Sequence, residues 1–135
     1  VGGKIGVAFV REMVYNKGRR EACHMVDMQK AQAEIAQITE IIKQTVPAER
    51  IYLFGSYAYG QPNEHSDYDF YVVIPDDSMR TREATQSIHW AVAQSPLMMP
   101  IDVLASHINR FDARKQLNSL ERKINRDGRL LYERA

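Results

Sequence analysis

The sequence predicts one domain of mixed α and β class, and three observations carry that prediction. Its 135 residues suit a single core rather than two. Apolar residues return at three- and four-residue intervals over several long stretches, the period of a helix. Between those stretches stand short apolar runs closed by glycine, proline or paired acids, the mark of strands.

Residues 1–26 are unlike the rest. They hold Gly2, Gly3, Gly6 and Gly18, the alternation Ile5-Val7-Phe9 and the polar cluster Asn16-Lys17-Gly18-Arg19-Arg20. They read as an N-terminal appendage: a mobile arm, one added strand, or a segment outside the native protein, because Met25 offers an internal start. The domain proper is then 27–135. It opens on a helix from Asp27 to Thr45, with Asp27 as N-cap and Ala31, Ile35, Ile38, Ile42 and Val46 on one face. Pro47 stops it. Arg50 to Phe54 predicts a buried strand ending at Gly55, and Ser56 to Ser66 a loop built on Gly60, Pro62 and Asn63. Asp67 to Ile74 is a second strand. Its inner part is apolar on both faces, so it belongs in the middle of a sheet.

A helix from Arg80 to Gln94 turns Ala84, Ile88, Ala91 and Val92 inward, and Pro100 to Ala105 gives a third strand. Helical spacing returns over Asn109 to Arg126 with a break expected at Asn118-Ser119. Gly128 suits a C′ position, and Arg129 to Tyr132 makes a short last strand. The order is helix, strand, strand, helix, strand, helix, strand, which is a mixed α and β arrangement.

Composition removes several classes of function. Apolar residues make up 44% of the chain, ordinary for a soluble globular protein. No apolar run approaches the ~20 residues needed to span a bilayer, and no leader of secretory type is seen, so neither membrane nor export is expected. Cys23 is the only cysteine. It cannot form an internal disulfide, which suits a reducing cytoplasm. A formal charge of +1 gives no bulk field for strong nucleic-acid binding. The charge is uneven, however. Glu64, Asp67, Asp69, Asp76 and Asp77 cluster without a basic residue, whereas Arg110, Arg114, Lys115, Arg122, Lys123, Arg126, Arg129 and Arg134 make the tail basic. That tail reads first as a solvated helix face and second as a surface for an acidic partner or a nucleotide.

Three acids occupy strand positions where an apolar residue would be more favourable. Asp67 and Asp69 lie two apart, so their side chains share a face, with Cα atoms roughly 6–7 Å apart. Asp102 sits between Ile101 and Val103 on another strand. If the two strands are neighbours, the third carboxylate joins the first two. Two such charges ~4 Å apart repel by about 1 kcal/mol in water and about 4 kcal/mol near a protein surface. Hard divalent cations would offset that repulsion. Magnesium is commonly held by one or two carboxylates together with substrate phosphates, and two ions about 3.5–4 Å apart serve phosphoryl chemistry. The plainer alternative makes Asp67 a strand-entry cap, Asp69 one half of an ion pair and Asp102 a lone edge charge. Gly55-Ser56 adds backbone N–H groups, a hydroxyl and room for close approach, which an anionic phosphate needs.

Phe54-Gly55-Ser56, then ten residues, then Asp67-Tyr68-Asp69-Phe70 resembles the signature of the DNA polymerase-β-like nucleotidyltransferase superfamily. Asp102 between Ile101 and Val103 looks like that family's third, more distant carboxylate. Over Ile35 to Tyr132 the chain is similar to the minimal nucleotidyltransferases of bacteria and archaea. The resemblance implies an α+β fold: a small mixed sheet, the polymerase-β-like core, with helices packed mainly on one face. It implies that Asp67 and Asp69 bind two Mg2+ ions, and that Asp102 completes the first ion's ligands and helps deprotonate the attacking hydroxyl. Gly55 and Ser56 would hold the β- and γ-phosphates of a nucleoside triphosphate. By the same resemblance ATP is the donor and a HEPN-family ribonuclease toxin the partner, its tyrosine receiving AMP, so that the chain acts as an antitoxin. Neutralisation by contact alone and nucleotidylation of a small molecule such as an antibiotic are the alternatives, and a homo-oligomer stays open.

The remaining candidates have plainer expectations. Tyr57 and Tyr59 read as surface packing, with base stacking or self-modification as the sharper option. His65 is expected in solvent, Trp90 in the core or against a partner, and Met98 and Met99 as core filler.

Overall fold

A computed structural model describes residues 26–63 and 65–135. The appendage apart from Val26, including Cys23 and Met25, lies outside the described residues, as does Glu64. Five helices and four strands are described. In chain order they are α1 (Met28–Thr45), β1 (Arg50–Phe54), α2 (Ser56–Tyr59), β2 (Tyr68–Ile74) and α3 (Thr81–Ala93). Then follow β3 (Ile101–His107), α4 (Ile108–Arg114), α5 (Leu120–Asp127) and β4 (Arg129–Glu133). No described helix is long and apolar enough to cross a membrane.

The strands form one sheet in the order β3-β2-β1-β4. β1 runs antiparallel to both β2 and β4, whereas β2 and β3 are parallel. A parallel pair needs a long crossover, and α3 supplies it. β2 is therefore interior, as its doubly apolar sequence predicts.

Helix α1 begins where expected. The Asp27 carboxylate accepts from the backbone N–H groups of Gln29 and Lys30, both at 3.1 Å, satisfying two donors that have no partner within the helix. Its apolar stripe and that of α3 cover one face of the sheet. Ile35, Ile38, Ile42, Ala84 and Ile88 pack there on Ile51, Leu53, Phe70, Val72 and Ile74. On the opposite face α4 and α5 lay Phe111 and Ile124 over Tyr52, Tyr71 and Val73. The two long helices thus share one side, and two short ones cover part of the other.

Several expectations need correction. Tyr57, read as surface packing, is buried in the main core. Ser56 to Tyr59 is one helical turn, not open loop, closed by the bond from Gly60 N–H to the Ser56 carbonyl. Gly128 caps α5 with φ −69°, not in the left-handed region. Glycine is required there because a Cβ would stand 2.6 Å from the Ile124 carbonyl oxygen. Met98 is 90% exposed and fills no core space, although Met99 packs against it. Trp90 is 68% exposed and lies outside the core. The break at Asn118-Ser119 is present: α4 ends at Arg114, and Ser119 caps α5 by accepting from Arg122 N–H at 3.2 Å.

Candidate active site

Alternation along β2 settles which side each acid takes. Phe70, Val72 and Ile74 enter the core under α1 and α3, so Asp69, Tyr71 and Val73 point the other way. The parallel register sets Asp69 opposite Asp102, and Phe70 opposite Val103. Asp69 and Asp102 are therefore neighbours on one face. Asp67 stands one residue ahead of β2, exposed to solvent, on the same alternation as Asp69.

The carboxylates act on one another. Asp69 has its pKa raised, first by burial and then by the charges of Asp102 and Asp67. Among the described residues no basic side chain pairs with Asp69, so the ion-pair alternative does not apply to it. No group of three or more His, Cys, Asp or Glu among the described residues forms a set that could by itself hold a metal ion. The donors nonetheless fit magnesium in its usual manner: half-exposed carboxylate oxygens with excess negative charge, to be completed by water and phosphate oxygens. Asp67, Asp69 and Asp102 are the residues that would hold it.

Gly55 explains how Asp69 is seated. At the end of β1 it adopts φ 75° and ψ −157°, a conformation that side chains strongly disfavour. A Cβ there would collide with Asp69 Oδ2 and stand 3.0 Å from Asp69 Cγ. Phe54, one residue earlier, is the register partner of Asp69. The turn out of β1 thus lies directly against the central carboxylate, with Ser56 opening α2 beside it.

The buried side holds this end of the sheet in place. Tyr68, between the two acids but facing the other way, donates to Glu34 Oε1 at 2.6 Å and meets the Tyr57 ring edge-on at 4.7 Å. A cavity of about 200 Å³ lies on that side, bordered by Lys30, Glu34, Tyr57, Tyr68 and Met99. It is separated from the carboxylates by the strand itself. His65 is exposed, as expected.

One cluster on the acid-bearing face was not foreseen. Tyr71 donates to Glu121 Oε2 at 2.8 Å, and Arg114 Nε donates to Glu121 Oε1 at 2.9 Å. Burial alone would raise the Glu121 pKa, but those two donors outweigh it and hold the carboxyl below its ordinary value. The available signal was Glu121 at an inward position, three residues before Ile124.

The family model "Polymerase beta, Nucleotidyltransferase" matches residues 36–135. The chain belongs to the polymerase-β nucleotidyltransferase family. The match takes in all four strands, Gly55-Ser56 and the three acids. No curated protein matches the chain. A solved Sulfolobus solfataricus protein assigned as a nucleotidyltransferase is 18% identical, with a TM-score of 0.55 over 78% of this chain and 83% of that one. That likeness shows the shared α+β fold. Two toxin–antitoxin structures give lower scores. A substituted MntA-HpeT pair is 19% identical, with a TM-score of 0.46 over 73% of this chain and 71% of the other. A toxin–antitoxin with AMP-PNP is 21% identical, with a TM-score of 0.48 over 73% and 72%.

Proposed function

We propose that this nucleotidyltransferase moves a nucleoside monophosphate, AMP from ATP, onto an acceptor hydroxyl, with Asp67, Asp69 and Asp102 as its metal-binding acids. The observation that carries the reading is that Asp69 stands beside Asp102 in parallel register, against a glycine turn whose missing side chain makes room for the Asp69 carboxylate. The raised pKa of Asp69 supports it further, because a site with unbalanced negative charge favours a cation.

Magnesium, when bound, would supply the positive charge that draws triphosphate and acceptor oxygens to one place. The chain's own groups do the rest. Asp67 and Asp69 would hold magnesium through their carboxylate oxygens, and so seat the reacting end of the nucleotide that the ion draws in. Gly55 and Ser56 hold the β- and γ-phosphates through backbone N–H groups and the Ser56 hydroxyl. Asp102, at the exposed edge of the sheet, accepts the proton of the incoming hydroxyl. The hydroxyl oxygen then bonds to the α-phosphorus as the bond to the bridging oxygen breaks, and pyrophosphate leaves. Most of the acceleration would come from positioning and charge neutralisation.

For the acceptor we infer a protein tyrosine on a HEPN-type toxin, making the chain an antitoxin. This rests on the family resemblance of its motifs. Incubation with α-labelled ATP, magnesium and the partner should transfer label to protein. Asp69→Asn should lower the rate by about 10²–10³-fold, the scale of losing a charge-stabilising group, while the variant still folds. Equal labelling by both proteins would overturn the site. Equal toxin neutralisation without any labelling would favour contact alone.

A further inference from the structure

The acid-bearing face needs positive charge besides metal, because a triphosphate and its pyrophosphate product carry several negative charges toward Gly55-Ser56. Several described cations are held in ion pairs, Lys43 with Glu40 among them. Arg50 and Lys115 meet Asp112, Arg114 meets Glu121, Arg126 meets Asp127 and Arg134 meets Glu49. Arg129 lies near the end of β1 but pairs in register with Leu53, whose side chain enters the core beneath α1, so it stands on the wrong face.

Lys123 differs in both respects. It is exposed and makes no ion pair within 4.0 Å among the described residues; its Nζ rests over the Tyr59 ring, 4.6 Å from the centroid. Tyr59 ends the single helical turn that Ser56 begins, and its N–H donates to the Gly55 carbonyl at 3.1 Å. Lys123 itself belongs to α5, which lies on the same face of the sheet as Asp69: its neighbour Ile124 packs on Tyr71. The α2 turn therefore straddles the sheet's end, giving Tyr57 to one layer and Tyr59 to the other. A flexible ammonium is parked on the ring of Tyr59, whose backbone lies one turn of helix, about 5 Å of rise, from Ser56.

We infer that Lys123 is a nucleotide-binding residue, which leaves the Tyr59 ring to engage the β- and γ-phosphates and balances the charge of departing pyrophosphate. The assignment rests on the nucleotide reading above. A lysine acts at phosphate as a mobile point charge, with the aromatic ring as its resting place when no nucleotide is bound. Tyr59 is then a positioning residue.

The test measures Mg-ATP affinity by calorimetry and steady-state KM and kcat for the wild type, Lys123→Arg, Lys123→Gln and Lys123→Glu. The unliganded Tm of each serves as the check on folding. Binding and KM should weaken about tenfold in Lys123→Gln, as expected for one lost charge-assisted hydrogen bond. The loss should be larger in Lys123→Glu and small in Lys123→Arg, with unliganded Tm values alike. Wild-type affinity in Lys123→Gln and Lys123→Glu would overturn the assignment and leave the nucleotide reading standing. A wild-type chain that binds no Mg-ATP would overturn both.

Discussion

Alternate residues of β2 belong to two regions built on different terms. Tyr68, Phe70, Val72 and Ile74 lie beneath α1 and α3, packed among aliphatic side chains. Asp69, Tyr71 and Val73 face the other way, where α4 and α5 cover the far end through Phe111 and Ile124 and leave the near end to carboxylates. One face is an apolar interior except at its near end, where Tyr68 meets Glu34. The other grades along a single strand from core, through a buried polar cluster, to a half-open acidic site. The comparison teaches that the long helices hold the sheet so firmly that its second face can carry groups unfavourable to stability.

Breaking the packed face should produce the larger loss of stability. Phe70→Ala removes a fully buried ring and should destabilise the protein by about 3–5 kcal/mol, measured by urea unfolding. On the other face, Glu121→Ala removes the acceptor of both Tyr71 and Arg114. It should cost about 1–3 kcal/mol. Because the Glu121 pKa is lowered in the folded state, its contribution is complete above the unfolded value and fades as pH falls through the folded one. The difference between wild type and Glu121→Ala should therefore narrow in acid, as a series of unfolding curves would show.

Asp69→Asn should act in the opposite direction and by less. The Asp69 pKa is raised on folding by burial and by its acidic neighbours, so its charged form opposes the fold. Its contribution is favourable in acid and is lost as pH rises through the raised folded value. In chelator at neutral pH the variant should melt slightly above wild type, and the gap should close on acidification. Magnesium with nucleotide should raise the wild-type Tm and leave Asp69→Asn nearly unchanged. A variant less stable than wild type at neutral pH would mean that the acids do not oppose the fold.

Much of the packed face was legible in the sequence. The spacing of Ile35, Ile38 and Ile42, the Asp27 cap, and the unbroken run from Phe70 to Ile74 report local physics, and their elements begin and end within a residue or two of expectation. The nearness of the acids was legible for a different reason: Asp69 and Asp102 interrupt apolar strands, Asp67 stands just ahead of one, and an interruption demands a cause. Contacts between distant segments were hidden. Nothing local to Tyr71 announces Glu121, fifty residues on, or links Lys123 to Tyr59. The turn from Ser56 to Tyr59 resembled loop because four residues are too few to show a helical period. Met98, and Trp90 in the core half of its expectation, misled because bulk apolar character identifies what can be buried, not what is.

The pairing of β2 with β3 makes the site sensitive to alignment. Side chains alternate with a period of two, so sliding β3 by a single position would send residue 102 to the helix-covered side and put Ile101 or Val103 in its place beside Asp69. The segments joining these strands can change length and still bring the edge home. Inside Ile101–His107 a one-residue deletion would keep a sheet but replace a carboxylate with a hydrocarbon, so the proposed site depends on a count as much as on the identity of its acids.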